Sequence, residues 1–489
     1  MKTYFSILLW LFLTQLAIAQ NDVGKQAEVA YQNKQFDKAA TLFLQVQDYY
    51  NAACCFALGG KKKDALTTLT KAVDDGYTNL NHINEDPDFA SLRGTPEWKT
   101  TLTKIEKIIR ETAGSIKKIT VLESNNYLLN NKVDYLNYPD DISKKEYADL
   151  KALIEKDVNV AGLTDQQLII ELLNWVSSQW DHDGNNEAPD SLSSYQIVLS
   201  ARDGNRYRCV EYGGVLSDAL KSFGFVSRSL GLTTPDVAYG GFGMGHVATE
   251  VWCNSLQKWI FVDPQFSVYV QHKGEYLNYY DIYKRYKEGK YDEISFLPTE
   301  KYARKRKLNL AAYQQDYKAF QKQYFGFINA SYRYQNQEQS LALMLDGKAP
   351  YLTFQGQATG NMVFTKNPDD FYFDMNRVSI SFAFQQTARF LEINKKYNIR
   401  TDGQYKRHMA EFAPVPNLNL SLLHNMPWFD HYEVRLNGKL LEADAKGRYA
   451  ANLTEGVNNL EAVAINKSGL KGIPTKMVLR YGTDQLTEK

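Results

Sequence analysis

Residues 245 to 264 read Gly245-His246-Val247-Ala248-Thr249-Glu250-Val251-Trp252-Cys253-Asn254-Ser255-Leu256-Gln257-Lys258-Trp259-Ile260-Phe261-Val262-Asp263-Pro264. The pattern predicts two strands, His246 to Cys253 and Lys258 to Asp263, joined by the polar loop Asn254 to Gln257. A hairpin that pairs Cys253 with Lys258 sets Ala248 opposite Asp263 and His246 opposite Gln265. His246 and Asp263 then share a face as diagonal neighbours, about 7 to 8 Å apart at Cα. An imidazole N–H and a carboxylate span that gap, and a slip of one residue would destroy the alignment. Trp252 falls on the same face, as core or as a cleft wall, and Cys253 points to the opposite one.

Two helices and a loop precede the hairpin. Thr164 caps an amphipathic helix with apolar positions Leu168, Ile169, Leu172, Leu173 and Val176, ending near Trp180. Asp181 to Asp190 is a polar loop, and a second helix starts at Cys209 and stops at Gly224. Cys209 thus sits in a first helical turn, where free backbone N–H groups and the helix dipole favour a thiolate over a thiol of pKa ~8.5. A lone cysteine is more often an inert core thiol, so the placement needs a partner. His246 is that partner if Asp263 fixes its tautomer and leaves the second ring nitrogen to face the Cys209 helix.

Arg208-Cys209-Val210-Glu211-Tyr212, Gly224-Phe225-Val226-Ser227-Arg228, Gly245 to Trp252 and Trp259 to Pro264, in that order, resemble the bacterial transglutaminase-like domains of the papain-like thiol superfamily. The resemblance covers about residues 115 to 290 and is strongest from 170 to 265. Trp180-Asp181-His182-Asp183-Gly184-Asn185-Asn186 is similar to a segment ahead of the Cys in a subset of that family. Carried over, the resemblance makes Cys209 the nucleophile, His246 the base and Asp263 the orienting carboxylate. It implies no cofactor, and no dense acidic calcium loop is present, so no metal is expected.

Further candidates surround these three. His182 lines the substrate cleft or binds a metal in one reading and is a solvated loop histidine in the other. The Cys209 backbone N–H is the obvious oxyanion donor, with Asn205, Tyr207 or Gln265 as candidates for the second. The stretch Gly240 to Gly245 lacks the strand-turn-helix context of a phosphate loop and is read as a flexible segment beside the site. Cys54 and Cys55, beside alanines at helical spacing, are read as core thiols.

The flanks differ in kind. Residues 20 to 112 resemble a short, degenerate tetratricopeptide array, with helix-opening turns at Asn33 to Ala39 and Gly59 to Ala65 and alanines where helices approach. Such helices bind a protein partner or simply prop the next domain. Beyond residue 320 short alternating runs such as Val378 to Phe384 and Leu418 to Leu422 predict a β-rich region to 410. Residues 411 to 485 resemble part of an immunoglobulin-like β-sandwich without a Cys pair. The expected class is therefore multidomain α+β: helical repeats, a central transglutaminase-like domain at 115 to 310 and a C-terminal sandwich.

Lys2, the apolar run Tyr4 to Leu13 and Ala17-Ile18-Ala19-Gln20 read as a signal peptide over residues 1 to 19, which places the chain in a periplasmic or extracellular space. No later apolar run reaches spanning length, so no membrane association is expected after its removal. With 57 Lys+Arg against 56 Asp+Glu there is no field to recruit nucleic acid. The expectation is an exported thiol enzyme that attacks an amide or isopeptide carbonyl through an acyl-enzyme, hydrolysing rather than cross-linking. Its partner would be a peptide or protein substrate, cell-wall peptide included. The alternative is a non-catalytic scaffold that binds partners through its repeats and sandwich.

Overall fold

The computed structural model describes residues 22–77, 79–114, 116–129, 142, 144–235, 245–334, 337–346, 362–383, 386–399, 404–405 and 408–483. The signal segment expected over 1–19 and residues 240–244 of the glycine-rich stretch lie outside them. The chain is α+β, with several sheets.

Helices α1 (22–32), α2 (Phe36–Gln45), α3 (Tyr49–Leu58) and α4 (Lys62–Asp74) follow one another through tight turns. Lys34, Gln47 and Gly60 take positive φ there. Ala27, Ala30, Ala39, Ala40 and Ala52 are buried between α1, α2 and α3, where small side chains let the backbones approach. Short α5 (Leu80–Glu85) and long α6 (Pro96–Gly114) close this unit over Phe89 and Trp98.

The next strand, β1 (Lys118–Ser124), does not join the sheet that follows it in sequence but pairs with the C-terminal strand. Helices α7 (Lys145–Asp157), α8 (Asp165–Ser177), α9 (Ser194–Arg202) and α10 (Cys209–Ser222) come next. Thr164 caps α8 through a capping box with Gln167. The central sheet then begins with β2 (Ser227–Thr233), β3 (Gly245–Cys253), β4 (Lys258–Asp263), β5 (Val268–His272) and β6 (Glu275–Tyr276). It continues past α11 (Tyr279–Lys287) with β7 (Ser295–Pro298), and past α12 (Glu300–Arg306) and α13 (Leu310–Gln321) with β8 (Phe327–Tyr334), β9 (Gln337–Met344) and β10 (Met362–Thr365). The order is β10-β9-β8-β2-β3-β4-β5-β6, with β7 also on β5.

The β3–β4 register runs from Cys253↔Lys258 to Thr249↔Val262, the pairing counted from the sequence. Beyond it the strands part: Asp263 turns to pair with Val268, and His246 stays level with Leu232. Val251, Cys253, Ile260 and Val262 face α7 to α10, while Ala248 and Phe261 face α11 and α13. Each face is thus covered by helices. An ion pair is sealed into the second face, where Glu250, fully buried, accepts from Arg228 Nε and Nη2 at 3.0 and 2.6 Å and from the Tyr279 N–H and Tyr372 hydroxyl at 2.9 Å each.

The remaining strands form two facing sheets. These are β11 (Val378–Ala383), β12 (Asn417–His424), β13 (Phe429–Leu436), β14 (Lys439–Leu440), β15 (Tyr449–Asn452), β16 (Gly456–Asn466) and β17 (Thr475–Gly482). One sheet runs β1-β17-β16-β13-β14 and the other β11-β12-β15, with Val378, Leu418, Leu420, Val434, Leu460 and Met477 in the core between them.

Sheet membership therefore cuts across the boundaries expected from the sequence. The central sheet runs on to residue 365 rather than ending by 310, and residues 118–124 belong with the C-terminal strands. The region expected as β-rich also contains a helix over Gln386–Tyr397. The physical reason is that strand pairing joins residues far apart in the chain, which local patterning does not report.

Candidate active site

Cys209 is the first residue of α10, half-buried and free of any disulfide. Its turn is held by Glu211, which is buried and reaches back to accept the Arg208 N–H at 3.1 Å and the Arg208 guanidinium at 3.0 Å. The same carboxylate accepts the Ala188 N–H at 3.1 Å, tying the polar loop to the thiol's helix. Further ties are Asp183 N–H to Tyr207 O at 3.0 Å and Arg208 to Glu187 at 2.9 Å. The loop after Trp180 is thereby fastened along the segment that leads into Cys209.

Gly213 lets that helix reach the sheet. A Cβ there would stand 2.6 Å from Val247 Cγ1 and 3.0 Å from Ala248 O. Thr249 Oγ1 also donates to Gly213 O at 3.2 Å. The contact brings the first turn of α10 to the end of β3, where His246 lies.

His246 Nε2 and Asp263 Oδ2 are 2.8 Å apart, and both residues are buried. Burial alone would disfavour the imidazolium, but the Asp263 charge and hydrogen bond, aided by the adjacent Cys209 thiol, outweigh it and hold His246 up at about 10. Nε2 is committed to Asp263, so Nδ1 is left for the thiol. Asp263 Oδ1 accepts the Gln265 N–H at 3.0 Å, and Oδ2 also accepts the Tyr317 hydroxyl at 2.7 Å. Phe266, Phe320 and Tyr324 ring His246 at centroid distances of 5.9, 5.1 and 5.8 Å and keep water from the pair.

The other expected site residues separate into two groups. His182, exposed in its loop, lies within electrostatic reach of the pair: partial desolvation and then the His246 charge lower its proton affinity. Gln265 is next to the pair through its backbone, and its buried Oε1 has no hydrogen-bond partner among the described residues. Asn205 and Tyr207, in contrast, turn toward α9. Asn205 Nδ2 donates to Ser200 Oγ at 2.8 Å, and the Tyr207 hydroxyl sits 2.8 Å from the same atom. Both polar groups are thus engaged with Ser200 of α9. Trp252 is core and not cleft wall: it is 2% exposed and packs with Val226, Trp259, Phe373, Met375 and Ile473.

Tyr317 was missed by sequence reasoning, since nothing local marks it among the six tyrosines of the segment 302–334. The remaining thiols are core. Burial pushes Cys55 up to about 12 and raises Cys54 and Cys253 as well. Among the described residues Cys54, Asp86 and Asp88 bring metal-type donor atoms together. Tyr50 and Tyr31 already donate to the two carboxylates at 2.7 Å each. Among the described residues no helix is long and apolar enough to cross a membrane. No family model matches the chain.

Proposed function

We propose that the chain is an exported thiol enzyme, a transglutaminase-like member of the papain-like superfamily, acting on amide or isopeptide bonds of a peptide or protein substrate. The observation that carries this reading is the buried 2.8 Å bond between His246 and Asp263, with the Cys209 thiol against the same imidazole at a helix N-terminus. His246 Nδ1 takes the thiol proton, and the sulfur attacks the carbonyl carbon. The tetrahedral oxyanion is met by the Cys209 backbone N–H, which opens the helix and so has no partner within it. As it collapses, the C–N bond breaks, the imidazolium gives its proton to the leaving amine, and a thioester remains. Water, deprotonated by the neutral imidazole, then attacks the thioester, and the C–S bond breaks to release the acid and restore the thiol. An amine acceptor in place of water would yield a cross-link; the proposed reaction is hydrolysis. Asp263 keeps Nε2 protonated throughout and stabilises the imidazolium. The flanking helices are read as tetratricopeptide-like and the paired C-terminal sheets as immunoglobulin-like, both appended to the catalytic unit.

Quenched-flow mass spectrometry with a panel of peptide and isopeptide substrates tests the proposal. An acyl adduct on Cys209 in the wild type, absent from Cys209→Ala, is the expected result. Hydrolysis undiminished in Cys209→Ala would refute it, and function that survives the substitution through partner binding alone would favour the scaffold reading.

A further inference from the structure

The Asp263 carboxylate is fully buried and accepts three hydrogen bonds, from His246 Nε2, the Gln265 N–H and the Tyr317 hydroxyl. Two of these converge on Oδ2, so the oxygen that stabilises the imidazolium shares its charge with a tyrosine. Tyr317 comes from α13, on the face of the sheet opposite α10, and its ring is packed among Phe266, Phe296 and Phe320 at 5.2, 5.5 and 6.0 Å. The hydroxyl is therefore held in place by the packing of its own ring.

We infer that Tyr317 is a positioning residue of the thiol site, one that acts through Asp263 Oδ2 to moderate how tightly the Asp263–His246 pair holds its proton. This rests on the thiol-enzyme reading above. Gln265 N–H at Oδ1 and His246 at Oδ2 are enough to keep the carboxylate's rotation once Tyr317 is silenced. Without the phenol, the whole charge of Oδ2 falls on the imidazolium. An imidazolium held too tightly is a poor acid for the leaving amine, and Tyr317 works against that.

Other titratable groups face the pair without duplicating this role. Cys209 and His182 approach from the helix and loop of the thiol, and Tyr212, Tyr279, Tyr302, Tyr313 and Tyr324 surround Asp263 at longer range. The hydroxyls of Tyr212, Tyr279 and Tyr313 are committed to the carbonyls of Trp180, Tyr324 and Phe266. Tyr302 interacts with Tyr313.

The test is the titration of the His246 ring by NMR of histidine-labelled full-length protein, with the resonance assigned by its loss in His246→Ala. The wild-type midpoint is expected near 10. In Tyr317→Phe, which keeps the ring contacts, it is expected to rise by about one pH unit, a tenfold tighter proton. With 3-fluorotyrosine at position 317, a stronger donor of the same shape, it is expected to fall. A midpoint unchanged or lowered in a folded Tyr317→Phe protein overturns the inference. If that variant does not fold, an unchanged midpoint in the fluorotyrosine protein does the same. A wild-type midpoint near the ordinary ~6.5 would instead strike the Asp263–His246 pairing itself, and the inference with it.

Discussion

Replacing Gly213 by Ala should draw Cys209 away from His246. Gly213 lies in the interior of α10, where alanine is the better helix former by about 1 kcal/mol. That gain is opposed by contact: the new Cβ would be 2.6 Å from Val247 Cγ1 and 3.0 Å from Ala248 O. Val247 has a short, stiff side chain and the second atom is strand backbone, so the neighbours yield little and the helix itself must retreat. Overpacking of this kind costs about 1 to 3 kcal/mol, which leaves Gly213→Ala destabilised by about 0 to 2 kcal/mol net. The larger effect is geometric, because an error of about 1 Å in a catalytic pair costs on the order of 100-fold in rate. Gly214→Ala is the matched control, since a Cβ there meets nothing within 4 Å. It should keep the helix gain of about 1 kcal/mol without the clash. The assay is iodoacetamide alkylation of Cys209 at pH 6, alongside thermal unfolding of both variants. Gly213→Ala should lose most of the reactivity while Gly214→Ala keeps it and unfolds at a higher temperature. Wild-type reactivity in a folded Gly213→Ala protein would refute the view that this close approach sets the thiol against His246.

Asp263→Asn removes the charge that holds His246 above its ordinary value. A raised folded-state value means a stabilising contribution that is fully present below about pH 6.5 and lost as pH rises toward about 10. The stability gap between wild type and Asp263→Asn should therefore narrow by up to ~1.4 kcal/mol per pH unit between pH 7 and 9, read as converging thermal midpoints; parallel midpoints would contradict it. Glu250→Ala strands the buried Arg228 guanidinium and should cost about 3 to 5 kcal/mol. The double variant Arg228→Met, Glu250→Leu should unfold at a higher temperature than Glu250→Ala, and equal losses would show that the strain lies in packing and not in the uncompensated charge.

The site was legible where its geometry is local. The hairpin register follows from the length of the Asn254 to Gln257 loop, and with it the shared face of His246 and Asp263. The start of α10 at Cys209 follows from the helical pattern that ends at Gly224. Alternation along β3 names a face but not what covers it. The face of His246 is packed by α11 and α13, and α10 lies on the other side, meeting His246 around the end of the strand. Tyr317 lies 54 residues beyond Asp263, so a reading confined to strand periodicity had no access to it. The same limit left Trp252 open between core and cleft wall, and it is buried against Phe373 and Met375 from a distant segment. It also hid the pairing of β1 with β17 and the extension of the central sheet by β8 to β10.

The proposed chemistry requires Cys209 and His246 to act as a thiolate–imidazolium pair. The pair is tested by mass-spectrometric alkylation of Cys209 with iodoacetamide from pH 5 to 10, in wild type and in His246→Ala. Cys54, Cys55 and Cys253 are buried and serve as internal controls that should remain unmodified in the folded protein. An ordinary thiol of pKa ~8.5 is only about 0.3% ionised at pH 6. Cys209 should be alkylated readily at that pH, and this reactivity should disappear in His246→Ala. Alkylation that follows an ordinary thiol in both proteins, or a Cys209 that reacts only after unfolding, would contradict it.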